Sequence, residues 1–259
     1  MSTLTWILGF TVLGGLLSTF AASMFLVLNA RARARLLPHL ISFATGALLG
    51  AAFLGLLPHA VDEAGVDRLH TIGATVLAGI LVFFVLEKLV LWRHCHLDDC
   101  EAHGPQEHHR AAASGTMILM GDGIHNFLDG MLIAAAFLTD VHLGIVTAVA
   151  VIAHEIPQEV GDLAVLLNGG MGRLRALMYN LMTGLAAVLG GVLAYFWFEA
   201  AAELLPYVLA VAASSFLYVA VADLIPGLHR RIGAHASLAQ IVLIAAGIAV
   251  IYTTHSTLH

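Results

Sequence analysis

Apolar residues run through this chain in long blocks, not in the narrow stripes of amphipathic helices. Eight blocks, 4–28, 36–60, 71–92, 114–138, 143–167, 176–198, 206–227 and 236–256, each approach the ~20 residues that a helix needs to cross a hydrocarbon core of about 30 Å. A lipid-facing backbone must satisfy its own hydrogen bonds, and blocks of this length do so as helices. The pattern predicts an all-α integral membrane protein with eight transmembrane helices. Little sequence is left between the blocks, so 1–259 is expected to form a single transmembrane domain.

Composition sharpens this picture. The chain is 60% hydrophobic and 11% charged, with a mean hydropathy of +0.92, where a soluble domain is about 25% charged. The bilayer is the expected partner, and no nucleic-acid partner is expected. The basic residues set the orientation. With the N-terminus outside, the inner loops hold Arg31, Arg33, Arg35, Arg93, Arg110, Arg173, Arg175, Arg230 and Arg231, and Lys88 lies near the inner end of helix three. Only Arg68 of the 11 basic residues falls outside, so both termini are expected outside under the positive-inside rule. No basic residue precedes the first block and no small-residue cleavage motif follows it, which predicts a retained helix.

Helices four and five break the apolar pattern. Helix four carries Asp122, His125, Asn126 and Asp129-Gly130; helix five carries His154-Glu155-Ile156-Pro157-Gln158-Glu159 and Asp162. His125 and Asp129 share a face at i,i+4, as do His154 with Gln158 and Glu155 with Glu159. His125 and His154 each lie about 11 residues into their helices, roughly 16 Å deep and so near the midplane. Imidazoles and carboxylates at that depth mark an ion or proton path. Pro157 removes a backbone donor and frees the carbonyl of Ala153, which predicts a kink. Glycines 121, 123, 130 and 161 permit close helix approach. Histidines with carboxylates and no thiolate suit a divalent transition metal.

These residues resemble the signature of the ZIP (Zrt/Irt-like) family of divalent-metal transporters. The similarity is to the subfamily with His-Asn-x-x-Asp-Gly on helix four and His-Glu-x-Pro-His-Glu-x-Gly-Asp on helix five. Here they read His125-Asn126-Phe127-Leu128-Asp129-Gly130 and His154-Glu155-Ile156-Pro157-Gln158-Glu159-Val160-Gly161-Asp162. Leu56-Leu57-Pro58-His59 and Leu86-Glu87-Lys88 extend the likeness outward. The resemblance implies a 3+2+3 bundle, with the outer triplets related by an inverted repeat and the metal site between helices four and five. It implies transport of Zn²⁺ and related divalent ions toward the cytoplasm by a homodimer; overlapping ligand chemistry adds Cd²⁺, Fe²⁺ and Mn²⁺ as expected substrates, and the compact chain points to the cell inner (plasma) membrane. No resident cofactor is implied, since the metal is the substrate. His125, Asp129, His154 and Gln158 would form the primary site, and Asn126, Asp129, Glu155 and Gln158 a second. Three features depart from the family: Gln158 replaces a histidine, helix six lacks a carboxylate, and Leu48–Phe53 of helix two lacks an aspartate.

Asp122, Glu159 and Asp162 form an expected carboxylate ladder from the site to the cytoplasm, and Asp223 is either its last member or a helix-end group facing water. The loop 93–113 holds five His, two Cys and four acidic residues, a composition suited to a metal buffer. Cys95 and Cys100 lie on the expected cytoplasmic side, where a disulfide is disfavoured. Two other functions compete. An intramembrane zinc metalloprotease would use His-Glu-x-x-His, but Gln158 occupies the second histidine position. A metal sensor would bind without transport.

Overall fold

The computed structural model describes residues 2–95, 107–168, 170–229 and 234–258. Its long helices are α1 (Thr3–Val27), α2 (30–64), α3 (Leu69–Cys95), α4 (Glu107–Thr139), α5 (Val141–Asn168), α6 (Arg173–Ala200), α7 (205–229) and α8 (Ala234–Leu258). The eight predicted blocks are all helical, and no strand occurs among the described residues. Seven of the eight helices are long and apolar enough to cross a membrane; the eighth, α4, carries the first polar cluster. α3 and α4 reach into both flanks of the predicted loop 93–113. The middle of that loop, with His96, Cys100 and His103, lies outside the described residues.

Caps and turns follow from single residues. Asn29 Oδ1 accepts from the Ala32 N–H at 2.9 Å and starts α2. Asp140 alone separates α4 from α5, and its Oδ1 accepts from the N–H groups of His142 at 2.8 Å and Leu143 at 3.0 Å. Partial burial opposes ionisation of Asp140, but these two donors prevail and hold its carboxyl below the usual carboxylate range.

The helices pack in matched pairs. α4 lies along α6, and α5 along α1; α2 lies along α8, and α3 along α7. α1 meets α6, α2 meets α7 and α4 meets α5. The α4–α6 seam is close enough to need glycine. A Cβ on Gly130 would stand 1.9 Å from the Ala187 carbonyl oxygen, and one on Gly190 2.0 Å from that of Phe127. Of the four glycines expected to admit a neighbouring helix, Gly130 is the one that does. Gly121 and Gly161 face open space, and Gly123 meets the Thr183 methyl at an ordinary 3.8 Å.

α5 runs unbroken from Val141 to Asn168 through Pro157. Departures from α-geometry occur in other helices. α2 widens to a π-turn over Ala51–Leu56 and α7 over Val219–Leu224. Leu57 N–H reaches back five residues to the Ala52 carbonyl, and Ile225 N–H five residues to that of Ala220. Each wide turn runs into a proline, Pro58 or Pro226, whose nitrogen cannot donate and leaves the preceding ladder without its ordinary closing bond.

The main apolar cluster fills the end of the bundle nearest Asp140. It joins Ile7, Leu56, Ile133, Phe137, Leu143 and Phe216, all buried, with Trp6 stacked on Phe137 and Phe10 tilted against it. A smaller cluster of Phe25, Val160, Leu163 and Leu166 lies toward the opposite end.

Candidate metal centre

α4 and α5 run antiparallel across a one-residue turn, so residues equally far from Asp140 face each other. His125 is 15 positions before it and His154 14 after. Their Nε2 atoms approach to 3.2 Å. Asp129, one turn from His125, places Oδ2 at 3.1 Å from His154 Nε2 and 3.8 Å from His125 Nε2. Glu155 places Oε1 at 3.8 Å from His125 Nε2 and 3.9 Å from His154 Nε2. All four donor atoms lie within 4.8 Å of one another.

Those separations match a tetrahedral site. Metal–ligand bonds of roughly 2.0–2.2 Å place tetrahedral ligands about 3.3–3.6 Å apart, and the five pair distances of 3.1–3.9 Å fall around that range. His154 is also oriented from behind. Its Nδ1 donates to the Ala150 carbonyl at 3.0 Å, which leaves the Nε2 lone pair pointing into the cluster. Its ring meets Phe216 of α7 at a centroid distance of 6.1 Å. Asp129, His154 and Glu155 are almost wholly buried, whereas the His125 side chain keeps 22% exposure and is the most accessible of the four.

Gln158 and Asn126 turn elsewhere. Asn126 Nδ2 donates to Asp122 Oδ1 at 3.1 Å and to the Asp122 carbonyl at 3.2 Å, and Gln158 Nε2 reaches Asp122 Oδ1 at 3.4 Å. The structure therefore brings together His125, Asp129, His154 and Glu155, with Asp122, Asn126 and Gln158 as a linked polar group beside them. Glu159 is fully buried next along α5, and neither of its carboxylate oxygens has a hydrogen-bond partner among the described residues. Asp162 is half-buried, and Asp223, in the wide turn of α7, is exposed. The same open end holds Gly121 and Gly161, with nothing packed against them. Toward Asp140 the site is closed by the apolar cluster.

Asp122 Oδ2, Asp129 Oδ2 and both carboxylate oxygens of Glu155 and Glu159 are buried without a hydrogen-bond donor among the described residues. Buried anions are costly unless paired or metal-bound. Asp129 and Glu155 together carry two negative charges, which one divalent cation neutralises. Two imidazoles favour a borderline transition ion over Mg²⁺ or Ca²⁺, whose shells are all oxygen. Reading the sequence for carboxylates passed over α6. That helix supplies a fully buried amide, Asn180, whose oxygen and nitrogen have no partner among the described residues. A lone Asn in a 28-residue apolar helix was the available signal.

The family profile described as "ZIP Zinc transporter" matches residues 93–254. "Zinc transporter ZIP13" of Pongo abelii is 35% identical over 236 residues, covering 86% of this chain and 68% of that one. "Zinc transporter foi" of Drosophila melanogaster is 40% identical over 141 residues, covering 54% of this chain and 19% of its own length. "Zinc transporter ZIP10" of Mus musculus is 38% identical over 159 residues, covering 58% and 19%. The relatives are zinc transporters and not enzymes. Glu155, which a protease would need as its base, here lies among the four metal-directed donors.

Proposed function

Because the chain belongs to the ZIP family of zinc transporters and is a multi-pass integral membrane protein, we propose that it carries Zn²⁺ into the cytoplasm through the His125–Asp129–His154–Glu155 site. The single observation that carries this reading is the convergence of four metal-directed atoms from two helices within 4.8 Å. In this reading the open end, with Asp162 and Asp223, is cytoplasmic, and both termini lie outside in the plasma membrane. Ten of 11 basic residues support that orientation.

Asp122, Glu159 and Asp162 are proposed to lead the ion outward from the site toward the cytoplasm, each an oxygen donor weaker than the site itself. Asn126 and Gln158 hold Asp122 in place and offer amide oxygens to a second ion position. The bundle is proposed to be 3+2+3, with α1–α3 and α6–α8 related as inverted repeats around α4 and α5. The matched packing supports this: exchanging α1 with α6, α2 with α7, α3 with α8 and α4 with α5 maps the main contacts onto one another. The two wide turns fall at equivalent places under the same exchange.

Zinc flux into proteoliposomes tests the proposal, with wild type beside the His125→Ala, His154→Ala double variant and with protein orientation assigned by protease access. The expected result is flux toward the face bearing the 93–113 loop, lost in the double variant. A folded wild type that binds zinc but moves none would overturn it.

A further inference from the structure

Two turns at the end of the bundle nearest Asp140 share a cleft of about 500 Å³, open on one side. One turn joins α2 to α3 over 65–68, and the other joins α6 to α7 over 201–204. Glu63, Ala64 and Arg68 line the cleft from the α2–α3 side, and Ala202, Glu203 and Pro206 from the α6–α7 side. Gly65 makes the first turn possible. Its φ of +86° belongs to a region that glycine enters without steric cost, and nothing stands near the place a Cβ would occupy. The chain doubles back there and carries Arg68 to α7, where its Nη1 donates to the Tyr207 hydroxyl at 3.3 Å.

The charges in the cleft are not matched to one another. A guanidinium has five N–H donors, and Tyr207 takes one of those of Arg68. Arg68, Glu63 and Glu203 form no ion pair among the described residues, and all three are exposed. The cleft also stands at a definite depth. Arg68 and Glu203 lie in the first turns of two apolar spans, Val66–Leu89 and Ala202–His229, and Glu63 lies at the end of a third, Arg31–Ala64. Val66, Leu69 and Leu204 expose apolar side chains beside it, as do Phe196 and Trp197 near the end of α6. At the ends of such spans hydrocarbon gives way to lipid headgroups, and aromatic residues collect there.

We propose that this cleft binds the headgroup of an aminophospholipid, with its phosphate on Arg68 and its primary ammonium on Glu63 and Glu203. A guanidinium presents forked donors that match a phosphate. An ammonium brings three donors, which the two carboxylates accept. Glu63, Glu203 and Arg68 sum to one negative charge. A phosphatidylethanolamine headgroup is neutral overall and supplies a partner for each charge in the cleft. A choline headgroup has no N–H to donate, and a headgroup with phosphate alone sets an anion before the carboxylates. A divalent metal ion would meet the Arg68 cation. The bound headgroup ties the α2–α3 turn to the α6–α7 turn.

The test uses the full chain in nanodiscs of phosphatidylcholine, alone or mixed in equal parts with phosphatidylethanolamine. Lipids retained after extraction into mild detergent are identified by native mass spectrometry. Wild type should retain phosphatidylethanolamine about tenfold over phosphatidylcholine, the worth of one charged hydrogen bond. The Glu63→Gln, Glu203→Gln variant should lose that preference and still hold phospholipid, and Arg68→Gln should hold neither lipid. Thermal unfolding in phosphatidylcholine discs establishes that the variants fold, and in mixed discs only wild type should gain in Tm. Equal retention of the two lipids by wild type overturns the site. A preference that survives in either folded variant overturns the role of the residues replaced. Displacement of the lipid by an equal concentration of free phosphoethanolamine overturns the lipid as occupant in favour of a soluble zwitterion. Zinc enters none of these readouts, so the transport reading stands or fails separately.

Discussion

The geometry brings Glu155 to the two imidazoles and Gln158 to Asp122, where the resemblance implies Gln158 in both metal positions and Glu155 only in the second. Gln158 shares a helical face with His154, yet its amide reaches Asp122, while Glu155 directs Oε1 to both imidazoles. Spacing on one helix says which residues share a face, but the position of the opposing helix decides which of them meet. His125, Asp129 and His154 were legible because the i,i+4 pair and the matched depths survive any reasonable packing. Asn180 was not, because its meaning depends wholly on α6 lying against α4. The Gln158→His variant adds a softer ligand beside the four. We expect KM for zinc to fall roughly tenfold and kcat to fall with it, since a tighter site releases its ion more slowly. Steady-state flux against zinc concentration measures both.

Helix contacts turn on small residues at the seams and on the single residue between α4 and α5. Gly130 adjoins the ligand Asp129 and touches the Ala187 backbone. Gly130→Leu should force α4 and α6 apart, lowering stability by about 1–3 kcal/mol and transport by more than tenfold through displacement of Asp129. Thermal unfolding in detergent and flux in vesicles read the two effects separately. Asp140→Ala removes the cap of α5 and should cost about 1 kcal/mol at pH 7, the middle of the range of cap values, since the half-buried carboxylate is partly screened by water. The folded-state carboxyl titrates below its ordinary range. Its contribution is therefore complete above about pH 4 and lost as pH falls through the lower folded value. The stability difference between wild type and variant should accordingly narrow in acid. The eight helices were legible as apolar blocks, and the one-residue turn nearly so. The wide turns were hidden, because Pro58 and Pro226 announce a lost donor but not how the ladder accommodates it; Pro157 in α5 announces the same loss within a continuous helix.

Among the described residues, the apolar cluster fills the end of the bundle nearest Asp140, while toward the other end His125 and Asp162 are half-buried and Asp223 is exposed. In the transport reading, an ion in the site exchanges with one compartment at a time, and so do protons. Protons and metal compete for the same imidazole and carboxylate lone pairs, so zinc binding should weaken as pH falls from 8 to 5. Zinc titrations at both pH values check this, and equal affinities would exclude proton competition. The matched contacts of α1–α3 and α6–α8 could not be read along the chain, because helices can share packing roles without sharing residues.

The four-ligand site also determines what the membrane voltage can act on. Two neutral imidazoles, two carboxylates and one divalent ion sum to zero charge. If the site itself crosses the field, its four side chains and ion together cost no electrical work when loaded, whereas the same four stripped of metal and protons bear two negative charges. Each charge crossing the full field is worth about 2.3 kcal/mol per 100 mV. Voltage should thus leave zinc delivery almost untouched and govern the return of the empty site, and it should lose its grip on that step where protons fill the vacated ligands.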